Sequence, residues 1–69
     1  MTTYEFWAND NSGELLAYGT VKTDNLRDEL VEIFTDHSDV DMIETCDENG
    51  RFIAWRMVDS LATIVYVLD

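Results

Sequence analysis

Hydrophobic and polar residues are distributed along the chain in a pattern that predicts five β-strands and one helix. Aromatic and β-branched residues, which are typical of strands, are concentrated in segments 2–8, 14–22, 40–46, 52–58 and 62–68. Segment 23–37 has a different period, because Leu26, Leu30 and Phe34 recur at helical spacing and Ile33 falls on the same face. The predicted order of elements is therefore ββαβββ.

The connecting segments support this order. Residues 9–13 (NDNSG) and 47–51 (DENGR) are turn-forming clusters, and the Asn49-Gly50 pair favours a hairpin with a type I′ turn. Thr23, Asp24 or Asn25 can cap the start of the helix. The predicted fold class is α+β, a small antiparallel β-sheet with one α-helix packed on one face.

Strand alternation predicts that both faces of this sheet are partly apolar. In the fourth strand Phe52 and Ala54 point to one face, and Ile53 and Trp55 point to the other. A helix of about 14 residues is roughly 20 Å long, so it can cover one face only. We expect the second face to curl on itself, to dimerise or to meet a partner.

Composition limits the protein to one small acidic domain, residues 1–69. The chain is 46% hydrophobic, which indicates a folded protein, and it carries 15 acidic against 4 basic residues, for a net charge of −11. Such a charge disfavours direct binding to nucleic acid or to an anionic membrane. It favours a basic partner, cations or a high-salt habitat.

The N-terminal segment and the cysteine content favour a cytoplasmic location. Cys46 is the single cysteine, so the chain has no internal disulfide, and a small secreted domain would usually have several. The opening MTTYEFWAND lacks the basic start and apolar stretch of a signal peptide. The longest apolar run, TIVYVL, is too short to span a bilayer.

Motifs for catalysis, metals or phosphates are not apparent. Aligning Gly50 with the glycine of a calcium-binding EF-hand loop would put Thr45 first and Arg56 twelfth, where carboxylate ligands are needed. His37 and Cys46 are too few for a zinc site, and acidic surroundings would raise the pKa of a catalytic thiol. We therefore expect no enzyme activity, no metal and no cofactor.

The acidic residues themselves form the candidate partner-binding surface. On the predicted helix, carboxylates spaced four apart face away from the apolar side, and no lysine is interleaved with them. A second group lies in the loops that follow. The nine candidate residues are Asp24, Asp28, Glu29, Glu32, Asp36, Asp39, Asp41, Asp47 and Glu48.

The opening MTTYEFWANDNSGELLAYG and the ββαβββ outline resemble the small acidic anti-CRISPR proteins that phages direct against bacterial CRISPR systems, in particular against a type I-C effector complex. The resemblance covers the whole chain and rests on size and charge, without a short diagnostic motif. It implies a DNA-mimicking inhibitor in the cytoplasm of the host bacterial cell. The implied partner is a CRISPR effector complex subunit or another basic DNA-binding protein.

Two alternatives use the same residues differently. A halophilic protein would have an equally acidic surface, with Lys22 as its single lysine, and would unfold in dilute buffer. A generic protein-interaction domain would instead use the uncovered face of the sheet, through side chains such as Trp55 or Tyr66. In each case the sequence favours a monomer or a weak dimer.

Overall fold

The sheet and helix of the computed structural model are described for residues 1–57 and 64–68, without side-chain detail for Met57 and 64–68. The elements are β1 (Thr2–Asn9), β2 (Leu15–Thr23), α1 (Leu26–Asp36), β3 (Met42–Cys46), β4 (Phe52–Met57) and β5 (Ile64–Leu68). The predicted fold class is confirmed: α1 packs on an antiparallel sheet in the order ββαβββ. The predicted final residue of the fourth strand and the first two of the fifth lie outside the described ranges.

The strands are arranged in the order β2-β1-β3-β4-β5, and every neighbouring pair is antiparallel. Consecutive strands form hairpins except at β2 and β3, where α1 carries the chain across to the other side of β1. Ala8 in the centre of the sheet therefore pairs with Ala17 on one side and Ile43 on the other. This pairing of β1 with β3 joins segments that are distant in sequence.

The β1–β2 and β3–β4 hairpins have the same turn, each built on an aspartate. Gly13 N–H donates to the Asp10 carbonyl at 3.1 Å, and Gly50 N–H donates to the Asp47 carbonyl at 3.1 Å. Both glycines have positive φ values, 87° and 80°, which a side chain would disfavour. The predicted type I′ turn centred on Asn49 and Gly50 is therefore wrong, because the bond places Gly50 last in the turn.

Asn25 caps the helix. Its Oδ1 accepts a bond from Asp28 N at 3.4 Å, while its Nδ2 donates to Asp28 Oδ2 at 2.9 Å. The first bond satisfies the Asp28 N–H in the first turn, and the second holds the Asp28 carboxylate at the positive end of the helix. Helix α1 begins at Leu26, so Asp24 lies before the cap and not on the helix.

The hydrophobic core lies between α1 and the sheet. Leu30 and Ile43 are fully buried, and Phe34, Val40 and Ala8 complete the cluster. Leu30 and Phe34 are four residues apart, so they face the sheet from successive turns of the helix. Full burial of an aliphatic side chain contributes about 1.5–3 kcal/mol, so this side supplies much of the stability of so small a domain.

A buried polar contact extends the covered side beyond this cluster. Thr45 is 2% exposed, and its Oγ1 accepts a hydrogen bond from Trp55 Nε1 at 2.9 Å. The same hydroxyl donates to the Ile53 carbonyl at 3.4 Å. The sheet register explains the contact, because Thr45 pairs with Ile53 on the neighbouring strand. The bonds offset the cost of burying a hydroxyl.

Candidate acidic binding surface

The outer side of α1 carries three of the predicted acidic residues in one row. Asp28, Glu32 and Asp36 are exposed and spaced four apart, whereas Glu29 beside them is partly buried. The row runs opposite to the buried Leu30 and Phe34 because the helix has 3.6 residues per turn. The predicted stripe is thus three residues long on the helix, and Asp24 belongs to the preceding connection.

Four further carboxylates line a cavity between the β1–β2 turn and the segment that follows the helix. The cavity has a volume of about 560 Å³. It is lined by Asp10, Asn11, Glu14, Leu16, Ser38, Asp39, Val40 and Asp41. Asp39 and Asp41 were predicted from sequence. Asp10 and Glu14 were not. The cluster 9–13, which contains Asp10, was assigned correctly as a turn, whereas Glu14 was assigned to the second strand, which begins at Leu15.

Strand pairing brings the two halves of this group together. Asp41 N–H donates to the Asn9 carbonyl at 2.8 Å, which fixes the segment after α1 against the end of β1. Asn9 also pairs with Met42 in the ladder. The β1–β2 turn and the segment that leads into β3 therefore meet at one end of the sheet. We name the acids from this end and from the outer side of the helix the acidic surface: Asp10, Glu14, Asp28, Glu32, Asp36, Asp39 and Asp41. Asp10 is partly buried, and the other six are exposed.

The structure separates two predicted residues from the acidic surface. Asp47 and Glu48 follow the last residue of β3, whereas Asp41 precedes its first. A five-residue strand is roughly 15 Å long, so the two groups lie at opposite ends of the sheet. Both acids also have structural roles: Asp47 Oδ1 accepts from Asn49 N at 2.8 Å, and Glu48 Oε1 accepts from Thr3 N at 2.6 Å.

The carboxylates of the acidic surface have no basic side chain as a partner. In the part of the chain that the structure describes, the only ion pair joins the Met1 amine to Asp24 Oδ1 at 3.4 Å. Arg27, Arg51 and Arg56 are exposed and contact none of the described carboxylates within ion-pair distance. The negative charge of this surface is therefore not neutralised within the described residues.

Hydrogen bonds within the β1–β2 turn lower the pKa of the Asp10 carboxyl group. The Ser12 hydroxyl, which donates to Asp10 Oδ1 at 2.7 Å, is the main cause of the lowered pKa, and Glu14 N–H adds to it from 2.9 Å. Hydrogen bonds donated to a carboxylate favour its ionised form. Asp10 therefore stays charged at a lower pH than a free aspartate, in a turn that holds its position.

The arrangement of acids on α1 opposes helix stability at one point. Asp36 is the last helical residue, and the last turn contains no basic residue. A negative charge at this end is unfavourable toward the helix dipole by about 0.3–1 kcal/mol. Each step between like charges four residues apart adds roughly 0.2–0.5 kcal/mol. A role in helix stability therefore does not explain Asp36.

Other candidate chemistry does not assemble in this fold. No group of three or more His, Cys, Asp or Glu side chains among the described residues is placed to hold a metal ion. His37 lies at the C-terminal end of α1, whereas Cys46 ends β3 at the far end of the sheet. The two cannot form a nucleophile–base pair, which requires hydrogen-bonding distance.

The face of the sheet away from α1 carries exposed aromatic residues. Trp7 and Phe52 stack there with ring centroids 5.9 Å apart and an interplanar angle of 20°. Phe52 is 45% exposed, and Tyr18, which pairs with Trp7 on the adjacent strand, is 73% exposed. No element within residues 1–57 covers this face. Trp55, by contrast, contributes to the covered side, where it packs against the core.

Comparisons of the chain with protein-family models, with curated proteins and with solved structures gave no match. Within the described ranges, no helix has the length and apolar character needed to cross a membrane. Two features of the molecule therefore bear on its function. One is the acidic surface, and the other is the face of the sheet away from α1, which we name the open face.

Proposed function

We propose that this protein is a non-catalytic inhibitor whose acidic surface occupies the basic DNA-binding groove of another protein. The observation that carries the proposal is the row of exposed carboxylates along α1 and around the adjoining cavity, which have no basic partner among the described side chains. Grooves that bind DNA are lined with Lys and Arg, and these side chains bind carboxylates as well as phosphates.

The geometry of the scaffold supports this role. The capped helix and the Asp10-centred turn hold carboxylates in fixed positions before a partner binds. Pre-organised charges lose less conformational entropy on binding than charges on flexible segments. The unfavourable position of Asp36 at the helix C-terminus is relieved when a cation binds there, which gives a physical reason for its presence.

The resemblance to anti-CRISPR proteins favours a particular target, the DNA-binding subunits of a type I-C effector complex in the bacterial cytoplasm. A competitor of this kind would prevent target DNA from entering the complex. Its association should be fast and should weaken as salt is raised, because opposite charges steer the encounter and salt screens them. Another basic DNA-binding protein would satisfy the same charge argument.

The test is competition for DNA on the purified effector complex, followed by fluorescence anisotropy of labelled target DNA. Replacing Glu32 and Asp36 by lysine changes the net charge from −11 to −7, since each reversal adds two charges. Loss of two charge-assisted contacts should weaken inhibition about 10–100-fold. Asp28 is kept because its carboxylate accepts a hydrogen bond from Asn25, the residue that caps the helix.

A matched control separates a specific surface from net charge. Glu5, Glu48 and Asn49 are also exposed, and combining Glu5→Lys, Glu48→Gln and Asn49→Lys gives the same net charge of −7 away from the acidic surface. Glutamine at position 48 keeps an oxygen that can accept the hydrogen bond from Thr3 N. This control should inhibit nearly as well as the unmodified protein. Equal loss of inhibition in the Glu32/Asp36 variant and in this control would contradict the proposal, provided that circular dichroism finds both folded.

The open face supports a second candidate, a protein-interaction domain that contacts its partner through Trp7, Tyr18 and Phe52. The exposed Trp7–Phe52 stack favours it, because aromatic residues are enriched at interface centres. The two candidates differ in their response to mutation. Tyr18→Ala and Phe52→Ala would abolish binding through this face and leave inhibition through the acidic surface intact.

A further inference from the structure

Strand β2 is an edge of the sheet, and its outer side is unoccupied within the described ranges. The strand order places β1 on one side of β2 and no strand on the other. An exposed edge offers a row of backbone donors and acceptors to any strand that approaches it. The strand is nine residues long and contains no proline, so its length does not protect it from pairing.

Apolar exposure is concentrated on the same strand. Of the five large hydrophobic residues that are exposed in the described chain, three lie in β2, namely Leu15, Leu16 and Tyr18. Exposed hydrophobic residues on an edge strand favour association with another strand. The edge therefore combines unpaired backbone with apolar side chains.

The charge distribution favours a second copy of this chain as the strand that pairs there. The protein has 15 acidic residues, but β2 contains none of them and carries Lys22, the single lysine. Two molecules of net charge −11 repel each other least where their acids are absent. Strand β2 itself meets this condition, and the acid beside it in the ladder, Glu5, pairs with Thr20 on the side away from the free edge.

The register within β2 gives this pairing a self-complementary form. A register shift near Ala8 and Asn9 disturbs the first part of the strand, whereas residues 17–23 pair with β1 without interruption. Thr20 is the centre of this regular part. Tyr18 and Lys22 lie two positions on either side of it, on the same face, because side chains alternate along a strand.

We propose that two copies pair antiparallel through residues 17–23 of β2, about a two-fold axis at Thr20. Each Tyr18 then faces Lys22 of the second copy, and the two Thr20 residues face each other. Cation–π and Thr–Thr contacts across strands are both favourable. The axis is perpendicular to the sheet, so both helices lie on the same side of a continuous sheet. A single strand pair is a small interface, so the dimer is weak.

The first test is sedimentation equilibrium from about 10 µM to about 1 mM. The average mass should rise from 8.0 kDa toward twice that value. Tyr18→Lys places a lysine opposite Lys22 of the second copy at both ends of the strand pair, so the association constant should fall at least tenfold. Adding Lys22→Glu creates two ion pairs, and the double variant should dimerise again although its net charge, −12, is more negative than −11.

A control of equal charge isolates the contact. Asn11→Lys also changes the net charge to −10, but it lies in the β1–β2 turn, so it should dimerise like the unmodified protein. A protein that stays monomeric throughout the concentration range overturns the proposal. A dimer that Tyr18→Lys does not weaken, or that the double variant does not restore, also overturns it.

The register has its own test, cysteine cross-linking in a Cys46→Ser background. Thr20→Cys should form an intermolecular disulfide on oxidation, since residues facing each other across the axis are close enough to bridge. Tyr18→Cys should not, because the two copies of residue 18 are offset by four residues, roughly 13 Å. Equal cross-linking of both variants, or none at Thr20→Cys, overturns the register centred on Thr20.

Discussion

Both sides of the sheet carry apolar side chains, but they differ in what covers them. Under α1, Leu30 and Ile43 are fully buried. On the opposite side, Trp7 and Phe52 stack on each other, and Phe52 remains 45% exposed. Burial gives the covered side its share of folding free energy, whereas the open side keeps apolar surface that is available for binding.

Acidic residues sharpen this difference. The exposed carboxylates of α1 lie on the outer side of the helix, away from the sheet. On the covered side, the apolar core therefore lies between the sheet and the helix, and the acidic residues lie on the outer surface of the helix. Sequence changes on this side separate into those that affect folding and those that affect the acidic surface. Four single substitutions test that separation, and their expected effects decrease from Leu30→Ala to Asp10→Asn.

Leu30→Ala should have the largest effect on stability. Removing a fully buried leucine costs about 2–5 kcal/mol, and so small a domain has little stability to spare. Urea unfolding followed by tryptophan fluorescence measures the change. A loss below about 1 kcal/mol would contradict the placement of Leu30 in the core.

Phe52→Ala should have a smaller effect, although phenylalanine is larger than leucine. Its side chain is partly exposed already, so the main loss is the stack with Trp7, worth about 0.5–1.5 kcal/mol. The same unfolding experiment gives a direct comparison with Leu30→Ala. Equal losses for the two variants would mean that the face away from α1 is as well covered as the core.

Asp36→Lys should stabilise the free protein and weaken its inhibition. A lysine at the helix C-terminus interacts favourably with the dipole, so the free energy of unfolding should rise by roughly 0.3–1 kcal/mol. Inhibition of DNA binding should fall because a carboxylate is lost from the acidic surface. Thermal unfolding and the competition assay, performed on the same variant, measure the two effects. A variant that gains stability and keeps full inhibition would exclude Asp36 from the binding surface.

Asp10→Asn should produce the smallest effect, and one that depends on pH. The pKa of Asp10 is lowered in the folded state, chiefly by the Ser12 hydroxyl, so the carboxylate contributes stability above its unfolded pKa. That contribution disappears as the pH falls through the folded pKa. The variant should therefore be less stable than the unmodified protein at neutral pH and approach it in strong acid. A pH-independent difference would contradict a role for the ionised carboxylate.

Much of the local structure followed from the sequence because its causes are local. Alternating residues predicted the strands, and the spacing of Leu26, Leu30 and Phe34 predicted the helix. The aspartate- and glycine-containing clusters predicted both hairpins. The turn type was predicted incorrectly, because the Asp47 side chain accepts bonds from Asn49 and Arg51 and selects a different turn from the Asn-Gly pair alone.

The candidate site was only partly predictable. The helix spacing correctly placed Glu32 and Asp36 on one exposed side. It could not exclude Asp24, because the choice of Asn25 as the cap depends on hydrogen bonds with Asp28. Asp10 and Glu14 were missed, since their proximity to Asp39 and Asp41 requires the pairing of β1 with β3.

The sequence by itself determined the element order, the apolar side of the helix and the negative charge, because these depend on residue type and short-range spacing. Tertiary structure decided which acids share a surface and which strand is the edge. Both depend on β3 pairing with β1, a contact between distant segments that no local pattern specifies. That single pairing gathers four carboxylates at one end of the sheet and leaves the outer side of β2 unoccupied within the described residues.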